Sequence, residues 1–139
     1  MCAGSDNQGN IVQYTFGTLV DGTIDEVEER VVSALADEGF GILTRIDLAA
    51  TLKAKLDIDR SPYVILGACN PQLAHSMVEV DEEIGALLPC NVVLRQEGDS
   101  VAVRFLDPDG MVSMVDDEAA LPIAAEAKAR LSRACEALG

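Results

Sequence analysis

NVVLRQEGDSVAVRFL, residues 91–106, decides the architecture. Asn91 to Gln96 reads as one strand, Gly98-Asp99 as a tight turn, and Val101, Val103 and Phe105 alternate along the next strand. Strands joined by so short a turn run antiparallel, so the sheet cannot be wholly parallel.

Working upstream, YVILGA at 63–68 is a continuous apolar run that suits a central strand or one covered on both faces. FGILTRI at 40–46 reads as another strand. IVQYTFGTLV at 11–20 alternates, with Val12, Tyr14, Phe16 and Val20 on one face. Helix signals fall between these runs. Thr23 and Glu26 have capping-box spacing, Ile24, Val27, Val31 and Leu35 follow at helical intervals, and Gly39 stands where a helix stops. Asp47 caps a second helix with Leu48, Leu52 and Leu56 as its apolar stripe. Asn70 and Pro71 are a cap and first-turn pair for a third, with Leu73, Met77 and Val78 inward. Residues 81–88 read as a short helical turn before Pro89.

Downstream, Asp107-Pro108 opens a short helix carrying Met111, Met114 and Val115. Pro122 opens the last, with Leu121, Ala124, Leu131, Ala134 and Leu138 inward. The order β α β α β α β β α α predicts an α+β two-layer sandwich, with about five strands in a mixed or antiparallel sheet and helices packed on it. Residues 1–10 read as a loose tail and 11–139 as a single domain.

Composition narrows the function classes. The 139 residues are 49% hydrophobic, as in a globular domain. Against 24 acidic residues stand 10 basic ones, a net charge of −14, which repels nucleic acid and anionic membranes alike. Only three of the bases are lysines, and excess carboxylate with few lysines fits either a protein of salt-rich cytoplasm or an ordinary acidic one. The opening MCAGSDNQGN has no basic start and no apolar core of a leader, and no stretch reaches membrane-spanning length. The expected setting is the cytoplasm, with free thiols.

The four cysteines, Cys2, Cys69, Cys90 and Cys135, form neither a CxxC pair nor a zinc spacing. Cys135 falls on the apolar side of the last helix and reads as core. Cys69 and Cys90 differ: each is followed by asparagine and each lies at a strand end. Cys69 precedes a helix start, where the positive end favours a thiolate or an anionic ligand. Cys69, Asn70, Pro71, Pro89, Cys90 and Asn91 are therefore the candidate ligand-binding residues. Equally, buried cysteine is commonly inert packing, and Asn-Pro is ordinary capping chemistry. His75, the lone histidine, does not share the face of Asn70. Cys69, Cys90 and His75 are weak metal candidates, with nothing to supply a fourth ligand.

Other patterns carry less. Gly39-Phe40-Gly41 is followed by no Gly-Lys-Ser/Thr, and the glycine spacing near Gly67 does not fit a nucleotide turn. The acidic pairs Glu28-Glu29, Glu82-Glu83 and Asp116-Asp117 read as solvated faces, and Met111 and Met114 as packing residues. No catalytic residue, cofactor or reaction follows.

Taken together, GFGI at 39–42 with Asp47-Leu48, ILGACNP at 65–71 and LLPCNVV at 87–93 resemble the domain-of-unknown-function family 302, over about residues 12 to 137. The resemblance implies a small α/β domain, often homodimeric, bacterial or archaeal, with no established activity and no catalytic residues to carry over. Cys69, Asn70, Pro71, Pro89, Cys90 and Asn91 match its pattern; His75 and Cys135 have no place in it. The sequence thus points to a homodimeric module that binds a small ligand or a partner, with a thiol-based redox or metal-handling protein using Cys69 and Cys90 as the alternative. A purely structural subunit with both cysteines in the core is the third reading.

Overall fold

The computed structural model describes residues 2–4 and 14–139. The elements are β1 (Ala3–Gly4), β2 (Thr15–Asp21), α1 (Ile24–Asp37), β3 (Gly41–Asp47), α2 (Leu48–Leu56), β4 (Tyr63–Cys69), α3 (Pro71–Val80), a 3-10 turn (Glu82–Leu87), β5 (Cys90–Glu97), β6 (Ser100–Leu106), α4 (Pro108–Val112) and α5 (Ala120–Glu136). The strands form one sheet in the order β1-β2-β6-β5-β4-β3. Every pairing is antiparallel, which settles the choice between a mixed and an antiparallel sheet. The 91–106 hairpin is present, with Val92 opposite Phe105, Leu94 opposite Val103 and Gly98 at φ 63 in the turn.

Local signals explain the helix boundaries. Thr23 and Glu26 close the capping box of α1 from both sides. At its other end Gly39 takes φ 84, and the Gly39 and Phe40 N–H groups donate to the Ala36 and Leu35 carbonyls, a Schellman stop. Asp47, Asn70 and Asp107 cap α2, α3 and α4 through their side chains. Gln96 ties the hairpin to α1: its Oε1 accepts from Ile24 N–H, and its Nε2 donates to the Gly22, Gly98 and Ser100 carbonyls.

Two packed clusters make the core. The larger joins the helix-facing side of the sheet (Val64, Leu66, Val92, Leu94, Val103 and Phe105 among its residues) to α1 and the C-terminal half of α5. The smaller packs Met77, Ile84, Met111, Val112, Ala120 and Ala124 where α3, α4 and the start of α5 meet. No helix of the described residues is long and apolar enough to cross a membrane.

Within the segment read as a tail, Ala3–Gly4 form β1, with Ala3 opposite Gly17; residues 1 and 5–13, including Val12, lie outside the described residues. Several other expectations are corrected. Tyr14 is 65% exposed and does not join Phe16 and Val20 in the core. The Leu48, Leu52, Leu56 stripe does not become a buried face: α2 has no buried residue. Val78, Met114 and Leu121 point outward. The last helix starts at Ala120, before Pro122, which fits within the first turn because that N–H needs no helical partner. Leu121, one step from the Ala120–Ala124–Ala127–Leu131 stripe, is turned about 100° away from the core. Cys2 and Cys135 are bonded as a disulfide rather than free, with Cα atoms 6.1 Å apart. Pairing of β1 with β2 at the sheet edge holds Cys2 against the core that contains Cys135.

Candidate functional site

The two cysteine motifs become neighbours through sheet register. β4 pairs with β5 so that Ala68 stands opposite Cys90 and Gly67 opposite Asn91. Cys69 therefore ends one strand beside the residue that begins the next. Gly67 makes room for the corner that precedes β5: a Cβ there would meet Thr44 Oγ1 and stand 2.8 Å from Pro89 Cγ. The chain reaches β5 through a cis Leu88–Pro89 peptide.

Where the two core clusters meet, a cavity of about 30 Å³ remains. Cys69, Asn70, Pro89 and Cys90 line it from the sheet side, with Phe40. Met77, Met111 and Ala124 line it from the helices. A site of that volume takes one or two waters or a small group, far less than the ~300–1,000 Å³ of a metabolite pocket. Pro71 and Asn91 are exposed and do not line it; they frame it by opening α3 and continuing β5. His75 is exposed on α3 and away from the lining, so the Cys69, Cys90 and His75 set is not gathered around the cavity. Among the described residues no three His, Cys, Asp or Glu side chains form a group that could hold a metal ion.

Asn70 is the buried polar side chain of the site, at 6% exposure. Its Oδ1 accepts from Leu73 N–H at 3.1 Å, and its backbone carbonyl accepts from Ala74 N–H at 2.9 Å. Its Nδ2 makes no hydrogen bond among the described residues. Buried donors without a partner are uncommon, which marks the carboxamide as a group with capacity to spare.

The two thiols are free and not bonded to each other; Cys69 is half-buried and Cys90 buried. Burial, and secondarily the nearby Cys69, push the Cys90 thiol up from 9.0 to about 11. At neutral pH Cys90 is thus a protonated thiol, unlike the lowered-pKa cysteines of thiol-disulfide enzymes. Met77 and Met111 were legible as inward helix residues. Nothing in their spacing placed them opposite the cysteines, because α3 and α4 converge only in three dimensions.

Comparison with known proteins fixes the lineage. The family model described as Domain of unknown function DUF302 matches residues 16–138. The chain belongs to the DUF302 family. A crystal structure of an uncharacterized conserved DUF302 protein from Bacillus stearothermophilus superposes with a TM-score of 0.84 at 31% identity, covering 91% of this chain and 98% of that one. The DUF302 fold therefore accounts for nearly the whole of both chains. No curated protein matches.

Proposed function

We propose that this DUF302 domain is a homodimeric binding module whose small ligand sits at Cys69, Asn70, Pro89 and Cys90. The observation that carries the reading is convergence: two separate sequence motifs line one cavity, among them the buried Asn70, whose Nδ2 has no partner among the described residues. Pro71 and Asn91 complete the site by fixing the two loops. The cavity volume limits the ligand to an ion or a group of a few atoms.

Support for the dimer comes from the sheet edge. β3 ends the sheet, and all of it is exposed except the half-buried Ile42. Of the ten exposed large apolar side chains among the described residues, Leu43 and Ile46 lie on β3, and Leu56 and Ile58 lie at and just past the end of α2, which follows it. An edge strand and an apolar patch together suit antiparallel pairing of two copies about a two-fold axis.

The alternative divides in two. A redox role needs a thiolate, and the raised Cys90 pKa makes one scarce. Metal handling is not limited in that way, because a metal ion displaces the thiol proton. The Cys2–Cys135 bond weighs against cytoplasmic residence, since such bonds persist in oxidising compartments.

Melting curves against a panel of metal ions and small anions, with alkylation of Cys69 followed in parallel, test the reading. At least one member should raise the Tm and slow alkylation. If none does either, the cavity is packing and the binding-module reading fails.

A further inference from the structure

Four sulfur-bearing side chains meet at one cavity. Cys69 and Cys90 reach it from the sheet, Met77 from α3 and Met111 from α4. The chain has four cysteines and four methionines, so half of its sulfur-bearing residues line a space of about 30 Å³. A single buried methionine is ordinary gap-filling. Two thioethers and two free thiols around the same small void are a donor set.

We propose that the cavity binds a soft monovalent metal ion, Cu(I), through the sulfur atoms of Cys69 and Cys90, with the thioethers of Met77 and Met111 completing the shell. The proposal rests on the cavity being the ligand site, as argued above, and names the ligand. Thiolate and thioether sulfur favour Cu(I), whereas carboxylate, carbonyl and water suit harder ions. The described residues bring no third His, Cys, Asp or Glu to the cysteines, so an ion that wants several charged or imidazole ligands finds too few. The volume fits an ion and excludes a metabolite.

Binding exchanges protons for metal. Each S–H bond that gives way to an S–Cu bond releases its proton to solvent, and copper supplied as Cu(I) keeps its oxidation state. Two thiolates and one monocation leave one net negative charge. The positive N-terminal end of α3, capped by Asn70, is at hand to stabilise it. Half-buried Cys69 gives the ion its way in.

The test uses the full chain with the Cys2–Cys135 bond intact. Ag(I), a redox-inert stand-in, and Cu(I) held by a competing chelator under ascorbate are titrated in without oxygen. The expected result is one ion per chain, proton release, and an X-ray absorption shell of sulfur alone. Cys69→Ser and Cys90→Ser should lose the ion to the chelator. Met77→Leu and Met111→Leu keep the packing volume and should weaken binding by about tenfold, the scale of a lost contact at a metal site. Cys2→Ser should bind as the parent does.

Uptake that survives the Cys69/Cys90 double serine variant, or a shell of nitrogen and oxygen, overturns the proposal. If the serine variants fail to fold, unchanged binding in the doubly leucine-substituted protein overturns it as well. If neither ion binds but a small anion still raises the Tm and shields Cys69, the metal assignment fails and the binding module stands. If nothing binds or shields, both fail.

Discussion

The carboxamide of Asn70 lies over Gly39: a Cβ on that glycine would stand 2.8 Å from Asn70 Nδ2 and 3.3 Å from Arg130 Nη1. The stop of α1 and the cap of α3 thus share one contact at the wall of the cavity. Asn70 cannot simply swing aside, because its Oδ1 is engaged by Leu73 N–H.

Gly39→Ala should be destabilising for two reasons. The φ of 84 is costly for any residue with a Cβ, by about 1–2 kcal/mol, and the new methyl presses on Asn70. Asn70→Ala alone should lose about 1 kcal/mol with the cap. Urea unfolding of both singles and the double variant checks this. The double should lose less than the sum of the singles, because the clash disappears with the carboxamide; strict additivity would refute the shared contact.

The Cys90 thiol sets a pH dependence. Its folded pKa is raised, so its contribution is fully present below pH 9 and is lost as pH rises toward 11, where the unfolded chain ionises first. Two units correspond to roughly 2–3 kcal/mol. The difference between parent and Cys90→Ala should therefore narrow from pH 9 to 11. A constant difference over that window would show that the thiol is not desolvated. At pH 8 iodoacetamide should label Cys69 well before Cys90, readable by mass spectrometry.

Reduction should weaken the fold. The Cys2–Cys135 bond spans 133 residues, and removing a bond of this kind costs about 2–5 kcal/mol. Dithiothreitol or Cys2→Ser should lower the Tm, and hydrogen exchange should rise first in β1 and its partner residues Phe16 and Gly17. An unchanged Tm would mean that the bond constrains nothing the fold had not already fixed.

Charge placed on the exposed sheet edge should separate the dimer. Leu43 and Ile46 are 65% and 47% exposed in the single chain, so Leu43→Glu with Ile46→Asp should leave the monomer folded. Sedimentation equilibrium should show the mass halved relative to the parent. A parent that already sediments as a monomer removes the dimer from the proposal.

What the sequence disclosed follows from the range of each interaction. The Thr23–Glu26 box, the Gly39 stop and the Asn70-Pro71 and Asp107-Pro108 starts are contacts within one turn of chain, and each was readable from spacing. The 91–106 hairpin was equally local. The stripe of α2 misled because periodicity reports an apolar face and not what covers it. The two cysteine motifs were conspicuous, but their adjacency depends on β4 lying beside β5, a register no single strand encodes. Met77 and Met111 lie on different helices and meet Cys69 and Cys90 only through the packing of α3 and α4 against α5. The Cys2–Cys135 bond was furthest from reach, since four cysteines permit several pairings.

That bond also gives the backbone the topology of a ring. A protease that cuts once in the 57–62 loop, or in the segment 113–119, leaves two pieces still joined through sulfur, and they separate on a gel only after reduction. With the Cα atoms of residues 2 and 135 only 6.1 Å apart, a short peptide linker could replace the sulfur bridge, and new ends could be opened at either loop. Such a permuted chain should build the same six-stranded sheet from a different starting point.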